Sequence, residues 1–242
     1  MATTAGKPET VYQDALINYL VSMARAVEKS VNKALDALAG RDFPIATALA
    51  SDIFMLEPRI NEMEMLIDEH AVCLLHCAGQ LSDDEVRLIV ATLKITNDLE
   101  RMGDLAVNIG ERVISLAQMP PAEPPTDLEP MAGAVRAMVN KSLGALLYRN
   151  VVLATEVLES DDVVDRYRDR IFERLLVHMT EDPLQVAPNL QFVLATRYME
   201  RIADHATNIA EDIIFWLRGL DVRHGRGRTT AAELPSSLTE DS

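Results

Sequence analysis

The sequence predicts an all-α fold: two tandem, pseudo-symmetric three-helix bundles built from six long helices. Composition is the first reason. Apolar residues make up 48% of the 242-residue chain but aromatics only 5%, and glycines number 10. A supply of Ala, Leu, Met and Glu favours helices and leaves sheets little to build with. An internal repeat is the second reason. Glu100-Arg101-Met102-Gly103-Asp104 runs on to Asn108 and Glu111, and Glu200-Arg201-Ile202-Ala203-Asp204 runs on to Asn208 and Glu211, an ungapped offset of 100 residues. The third is the segment 119–126, MPPAEPPT, whose prolines cannot continue a helix and make a stiff extended connector. It separates residues 1–118, the first bundle, from 127–220, the second, and leaves 221–242, polar and without apolar periodicity, as an expected mobile, disordered tail.

Each element follows from its own pattern. Residues 9–39 carry Leu16, Leu20, Met23, Val27, Val31, Leu35 and Leu38 at helical spacing, with Gly40 as a stop. A second helix is expected over 42–78, kinked or briefly broken at Pro58, where a backbone donor is lost. Ser82 with Glu85 three residues on reads as a capping box opening a third helix over 82–118. After the connector, helices are expected over 127–148 and 150–180. Asp182-Pro183 and Pro188 then mark a turn before the last helix, 188–218.

The signatures sit on the third and last helices. At about 100° per residue, Glu100, Asp104, Asn108 and Glu111 fall within an arc of roughly 80°. Ile95, Leu99, Met102, Ala106, Ile109 and Val113 form a packing seam opposite, repeated as Met199, Ile202, Ala206, Ile209, Ile213 and Trp216. Each helix is thus expected to turn an apolar face inward and an acidic face outward. Oxygen donors at such spacing can converge on a cation, and oxygen-only ligands suit Mg, Ca, Mn or Fe. A solvated face with ion pairs to Arg101, Arg197 or Arg201 is the plainer alternative for one stripe; the second copy in register favours metal. Glu57 with Asn61, and Asp161 with Asp165, form matching i, i+4 pairs in the two halves and are expected to face solvent. His70, Cys73, His76 and Cys77 have a spacing compatible with zinc, but their apolar neighbours favour core packing.

Other classes are excluded or weakened. A formal charge of -15 disfavours nucleic acid and anionic lipid as direct partners and suits cations or a basic protein surface. No apolar run is long enough to span a membrane. The polar first ten residues argue against an export signal, and two cysteines fit a reducing cytoplasm. No phosphate loop, nucleophile elbow or zincin motif occurs.

The run Asn97-Asp98-Leu99-Glu100-Arg101-Met102-Gly103-Asp104, the run Arg197 to Glu211, Ile60-Asn61 with Glu64, and Ile67-Asp68-Glu69 resemble the PhoU family of bacterial phosphate-signalling regulators. The resemblance covers nearly the whole chain. It implies two three-helix bundles, and metal ions (Fe, Zn, Mn or Mg) held by Glu100, Asp104, Glu200 and Asp204 with Asn108 and Asn208 as companions. It also implies a non-enzymatic, cytoplasmic homodimer that keeps the phosphate-starvation response off. The implied partners are a sensor histidine kinase and the ATP-binding subunit of the phosphate transporter, so that membrane association is peripheral and through them. Two alternatives remain: a carboxylate-bridged metal enzyme, and a metal-independent acidic helical scaffold. Di-iron enzymes place Glu-x2-His motifs toward a bundle core, and no such histidine occurs here.

Overall fold

Helix α1 (Pro8–Ala39) begins with proline in its first turn, where a missing N–H costs nothing. The computed structural model describes residues 8–40, 43–77, 81–223 and 228–229. Every apolar position expected to face inward along α1, from Leu16 to Leu38, is buried. Helix α2 (Phe43–Cys77) runs without a break through Pro58. No break occurs there: Pro58 lies on the exposed side, while Ile53 and Ile60, on either side of it, are buried. Water can satisfy the carbonyl that Pro58 leaves free, and burial of the flanking turns holds the helix together.

Helix α3 (Asp83–Ala117) opens on the expected capping box. Ser82 N donates to Glu85 Oε2 at 2.7 Å, and Glu85 N donates to Ser82 Oγ at 3.4 Å. The connector that follows forms neither helix nor strand, and its end is pinned from the second half. Arg174 donates to Thr126, and Arg170 Nε donates to Asp127 Oδ2 at 3.3 Å.

In the second half, α4 (Leu128–Tyr148) ends on Arg149 in the left-handed region, and Asn150 caps the next helix by accepting from Val152 N and Leu153 N. The single helix expected over 150–180 is two: α5 (Val151–Leu158) and α6 (Asp161–Glu181). At the joint Ser160 N bonds Val157 O, a tightened turn, and Ser160 Oγ bonds Glu156 O at 2.7 Å. Asp161 and Asp162 then occupy the first turn of α6, where the helix dipole favours negative charge. A 3-10 turn (Pro183–Gln185), capped by Asp182, leads into α7 (Val186–Arg218), which ends at Gly219 with φ 66°.

The fold is all-α in two tandem bundles, as expected. Helices α1, α2 and α3 pack mutually, while α4, α5 and α6 each pack on α7. The core does not stop at the boundary between halves. Helix α3 lies along α7, α1 touches α4, and one continuous cluster of buried side chains runs through both. Beyond α7 the chain is not wholly free: Leu220–Asp221 pair antiparallel with Arg228–Thr229. The rest of the expected tail, 224–227 and 230–242, lies outside the described residues. Among those described, no helix is long and apolar enough to cross a membrane.

Candidate metal centres

Both signatures meet at the α3–α7 crossing. Lys94 pairs with Asp212, Asp98 with His205 and Asn208, and Arg112 with Gln191. Partners fall back along α7 as α3 advances, so the two helices are antiparallel. Their crossing lies near Met102 and Ile202, both fully buried, inside the two signatures. The seams hold as expected, from Ile95 to Val113 and from Met199 to Ile213, with Trp216 half-buried at the end. The acids opposite do not simply face outward. Glu100, Asp104, Asn108 and Glu200 are half-buried, because the second long helix of each half lies alongside the stripe.

In the first half α2 supplies Glu64 and Asp68. Loss of water raises the Glu100 carboxyl above its ordinary range, helped by Asp104 and Glu64 and opposed by Arg101. Burial likewise raises Glu64, with Asp68 and Asp104 adding to it and Arg101 opposing. Arg101 Nε stands 3.5 Å from Glu100 Oε2. Gly103, beside Asp104, permits this approach: a Cβ there would stand 3.1 Å from Ile60 Cδ1 on α2. Asn108 lies one turn on, half-buried, and Glu111 pairs with its neighbour Arg112 at 3.1 Å. Glu57 and Asn61, expected to face solvent, are half-buried, and Asn61 Nδ2 donates to Glu57 Oε1 at 2.7 Å.

In the second half Asp161 and Asp165 of α6, expected to face solvent, turn toward α7. Thr207 Oγ1 donates to Asp161 Oδ1 at 3.4 Å. Arg168 Nη1 donates to Asp165 at 2.9 Å and to Glu200 at 2.5 Å. Asp161 is raised by burial and then by Asp165, against the Thr207 bond. Asp204 keeps one side open to solvent, yet its carboxyl is pushed up to about 6. Partial burial is the first cause, followed by Glu200, Asp161 and Asp165, with His205 opposing. Asn208 is drawn elsewhere: its Nδ2 donates to Asp98 Oδ1 across the helix interface at 3.2 Å.

Sequence reasoning passed over Asp98 and His205. Asp98, 8% exposed, receives His205 Nδ1 at 2.7 Å on the same oxygen that Asn208 reaches. Leu105 stands where His205 does in the repeat, so repeat logic discards the pair; a charged residue on a buried line of α3 was the available signal. Among the described residues the His70 group is not gathered around a point where zinc could sit. His70 Nδ1 meets Leu66 O at 2.7 Å, its ring lies 4.9 Å from Tyr19, and His76 is exposed. Core packing holds only for Ala71 and Leu74 there, since Val72 and Leu75 are exposed. The side chain of Cys77 lies outside the described residues.

Chemically, both clusters are crowded oxygen donors with a surplus of negative charge. Among the described residues no three carboxylate, imidazole or thiolate groups are already arranged around one ion-sized point. The first cluster suits a hard cation by its donor set: oxygen ligands, mutual repulsion, and an arginine only at its rim. The second holds an arginine within it.

A family model described as the PhoU domain matches the chain twice, over residues 20–113 and 128–213. The chain is 35% identical over 227 residues to a phosphate-specific transport system accessory protein PhoU homolog of Pseudomonas putida, covering 93% of this chain and 86% of that one. Against the homolog of Pseudomonas aeruginosa it is 36% identical over 210 residues, covering 86% and 84%. The crystal structure of PhoU from Pseudomonas aeruginosa superposes with a TM-score of 0.81 at 33% identity, covering 87% of this chain and 99% of that one. The phosphate transport system regulatory protein PhoU from Streptococcus pneumoniae shares the fold, with a TM-score of 0.77 at 23% identity over 88% and 99% of the chains. One domain matched twice, with an acidic signature at the same place in each copy, accounts for the repeat, and the chain belongs to the PhoU family.

Proposed function

We propose that the protein is an accessory regulator of phosphate transport that acts by binding, with no chemistry of its own. The observation that carries this reading is the double domain match across both halves. Its relatives are named as accessory or regulatory proteins of phosphate transport, not as enzymes. In finer terms, it holds the phosphate-starvation response off by binding a sensor histidine kinase and the ATP-binding subunit of the transporter, as a homodimer at the cytoplasmic face of the membrane. The net charge of -15 supports docking to basic partner surfaces. Residues 1–118 and 127–220 form the two halves of this body, joined by 119–126.

Metal belongs to the same proposal. Glu100 and Asp104 with Glu64 would hold a divalent or iron ion in the first half, Asn108 lying one turn away; Glu200, Asp204 and Asn208 are the corresponding group in the second. A bound cation supplies the positive charge that lets such carboxylates sit together. Binding the folded state alone, it also stabilises the fold by an amount that grows with the logarithm of its concentration.

Two measurements test this reading. Affinity capture on the full chain from phosphate-replete cells is expected to recover the kinase and the transporter ATPase; recovery of neither sinks the pathway assignment. Metal analysis after chelator-free purification is expected to show bound metal that Glu100→Ala and Asp104→Ala reduce. Unchanged content in both variants rules the first site out. A metal-independent scaffold is favoured for the second face by one observation, the arginine already lodged there, and chelation would then leave partner binding through that face intact.

A further inference from the structure

The two acidic clusters descend from one plan but differ at one position. Aligning Glu57 and Asn61 with Asp161 and Asp165 sets Glu64 opposite Arg168. The structure supports that correspondence, since Glu64 acts on Glu100 of the first signature and Arg168 contacts Glu200 of the second. Where the first cluster has one more oxygen donor, the second has a fixed cation.

Arg168 is well held in that place. Nη1 donates to Asp165 Oδ1 at 2.9 Å and Glu200 Oε1 at 2.5 Å. Nη2 and Nε both reach Asp169 Oδ1, at 2.9 and 3.0 Å. Its side chain is 28% exposed, against 56% for Arg101, which meets the first cluster only from the rim. A guanidinium stays protonated at any physiological pH, and its planar donors suit several carboxylates at once. An ion entering the second cluster would have to share Asp165 and Glu200 with Arg168, whose fixed positive charge repels it and whose Nη1 already occupies one oxygen of each. Asp161 and Asp204 are the two carboxylates there that Arg168 does not touch, and one oxygen of Asp161 accepts from Thr207.

We propose that Arg168 is the resident counter-ion of the second cluster, so that the first cluster takes an exogenous divalent ion and the second does not. The two faces of the body therefore differ in their response to metal: docking through the first depends on the ion, docking through the second on an arginine that chelators cannot remove. This rests on the metal reading of the first cluster given above.

The test is a calorimetric titration of chelator-stripped full-length protein with Mn2+, comparing wild type with Glu100→Gln, Glu200→Gln and Arg168→Glu. Glu100→Gln is expected to weaken Mn2+ binding by roughly tenfold or more, while Glu200→Gln leaves it unchanged. Arg168→Glu, which rebuilds the first-half arrangement, is expected to gain an additional ion. Loss of wild-type binding in Glu200→Gln, or no gain in Arg168→Glu, overturns the proposal. Absence of wild-type binding, or indifference to Glu100→Gln, instead removes the metal reading of the first cluster, and the gain in Arg168→Glu then still decides the role of Arg168. Should Arg168→Glu not fold, Arg168→Gln replaces it. Its thermal midpoint is expected to lie below wild type and to recover with Mn2+; a midpoint that Mn2+ does not move overturns the proposal as well.

Discussion

Asp204 shows what a crowded carboxylate does to a fold before any cation arrives. Its carboxyl is shifted from an ordinary 3.8 to about 6 by partial burial and by Glu200, Asp161 and Asp165. The sign follows from linkage. Between these values the folded protein keeps a proton that the unfolded chain has released, so stability falls as pH rises through this window and stays lower above it. In chelator-treated protein, Asp204→Asn is expected to raise the thermal midpoint at pH 7.5, with the advantage over wild type shrinking as pH drops toward 4. A midpoint difference independent of pH would show that the carboxyl titrates normally. The energy is modest, because the group retains solvent contact and water screens its neighbours. At this scale much of the site was legible. The four signature acids announce themselves by repetition, whereas Glu64 and Arg168 break it. Their roles depend on which side of α2 and α6 meets the stripe, and i, i+4 spacing defines a face without saying what it touches.

Helix-level packing sets how near the acids come. Gly103 lies where α2 and α3 approach, and a methyl there meets Ile60 Cδ1 at 3.1 Å. Ile60 is 1% exposed and has no free direction in which to swing. Gly103→Ala is therefore expected to cost about 1 kcal/mol or more by overpacking, despite the better helix propensity of alanine. Adding Ile60→Val should return part of that loss, a coupling that urea denaturation of the two single variants and the double variant would measure. Strictly additive effects would mean the two side chains do not meet. The second half carries Ala203 at the matching place, so the tightness belongs to the first cluster. Helix existence was legible from apolar periodicity throughout, but two boundaries were not. The joint between α5 and α6 carries neither Gly nor Pro; only Ser160 ahead of Asp161-Asp162 marks it. Pro58 misleads in the other direction, because an exposed proline on a long, well-packed helix interrupts one hydrogen bond and leaves the helix standing.

For the whole molecule, the repeat made the two halves plain and hid their fusion. A search for apolar seams finds one buried face on α3, yet α3 has a second buried line through Ala91, Asp98 and Leu105. An aspartate on that line reads as surface. It is instead buried against α7, its charge met by His205 and Asn208, while Asp212, 5% exposed, is met by Lys94 at 3.2 Å. Leaving such a buried group unpaired is costly, so these contacts bind the halves only while both are folded. With the apolar core also continuous across the boundary, neither half keeps its buried surface if the other opens. The two bundles are thus expected to unfold as one unit. The single tryptophan, Trp216, reports on the second half, lying half-buried against the core with Arg149 over its ring at 5.3 Å. Its fluorescence and the far-ultraviolet circular dichroism of all helices should trace one coincident urea transition. Asp98→Ala should move both traces together to lower urea, by about 1–3 kcal/mol, for the His205 ring that it leaves without its partner. A fluorescence transition that separates from the circular dichroism, in wild type or variant, would mean that each bundle stands alone and that the α3–α7 interface is a contact between domains, not a shared core.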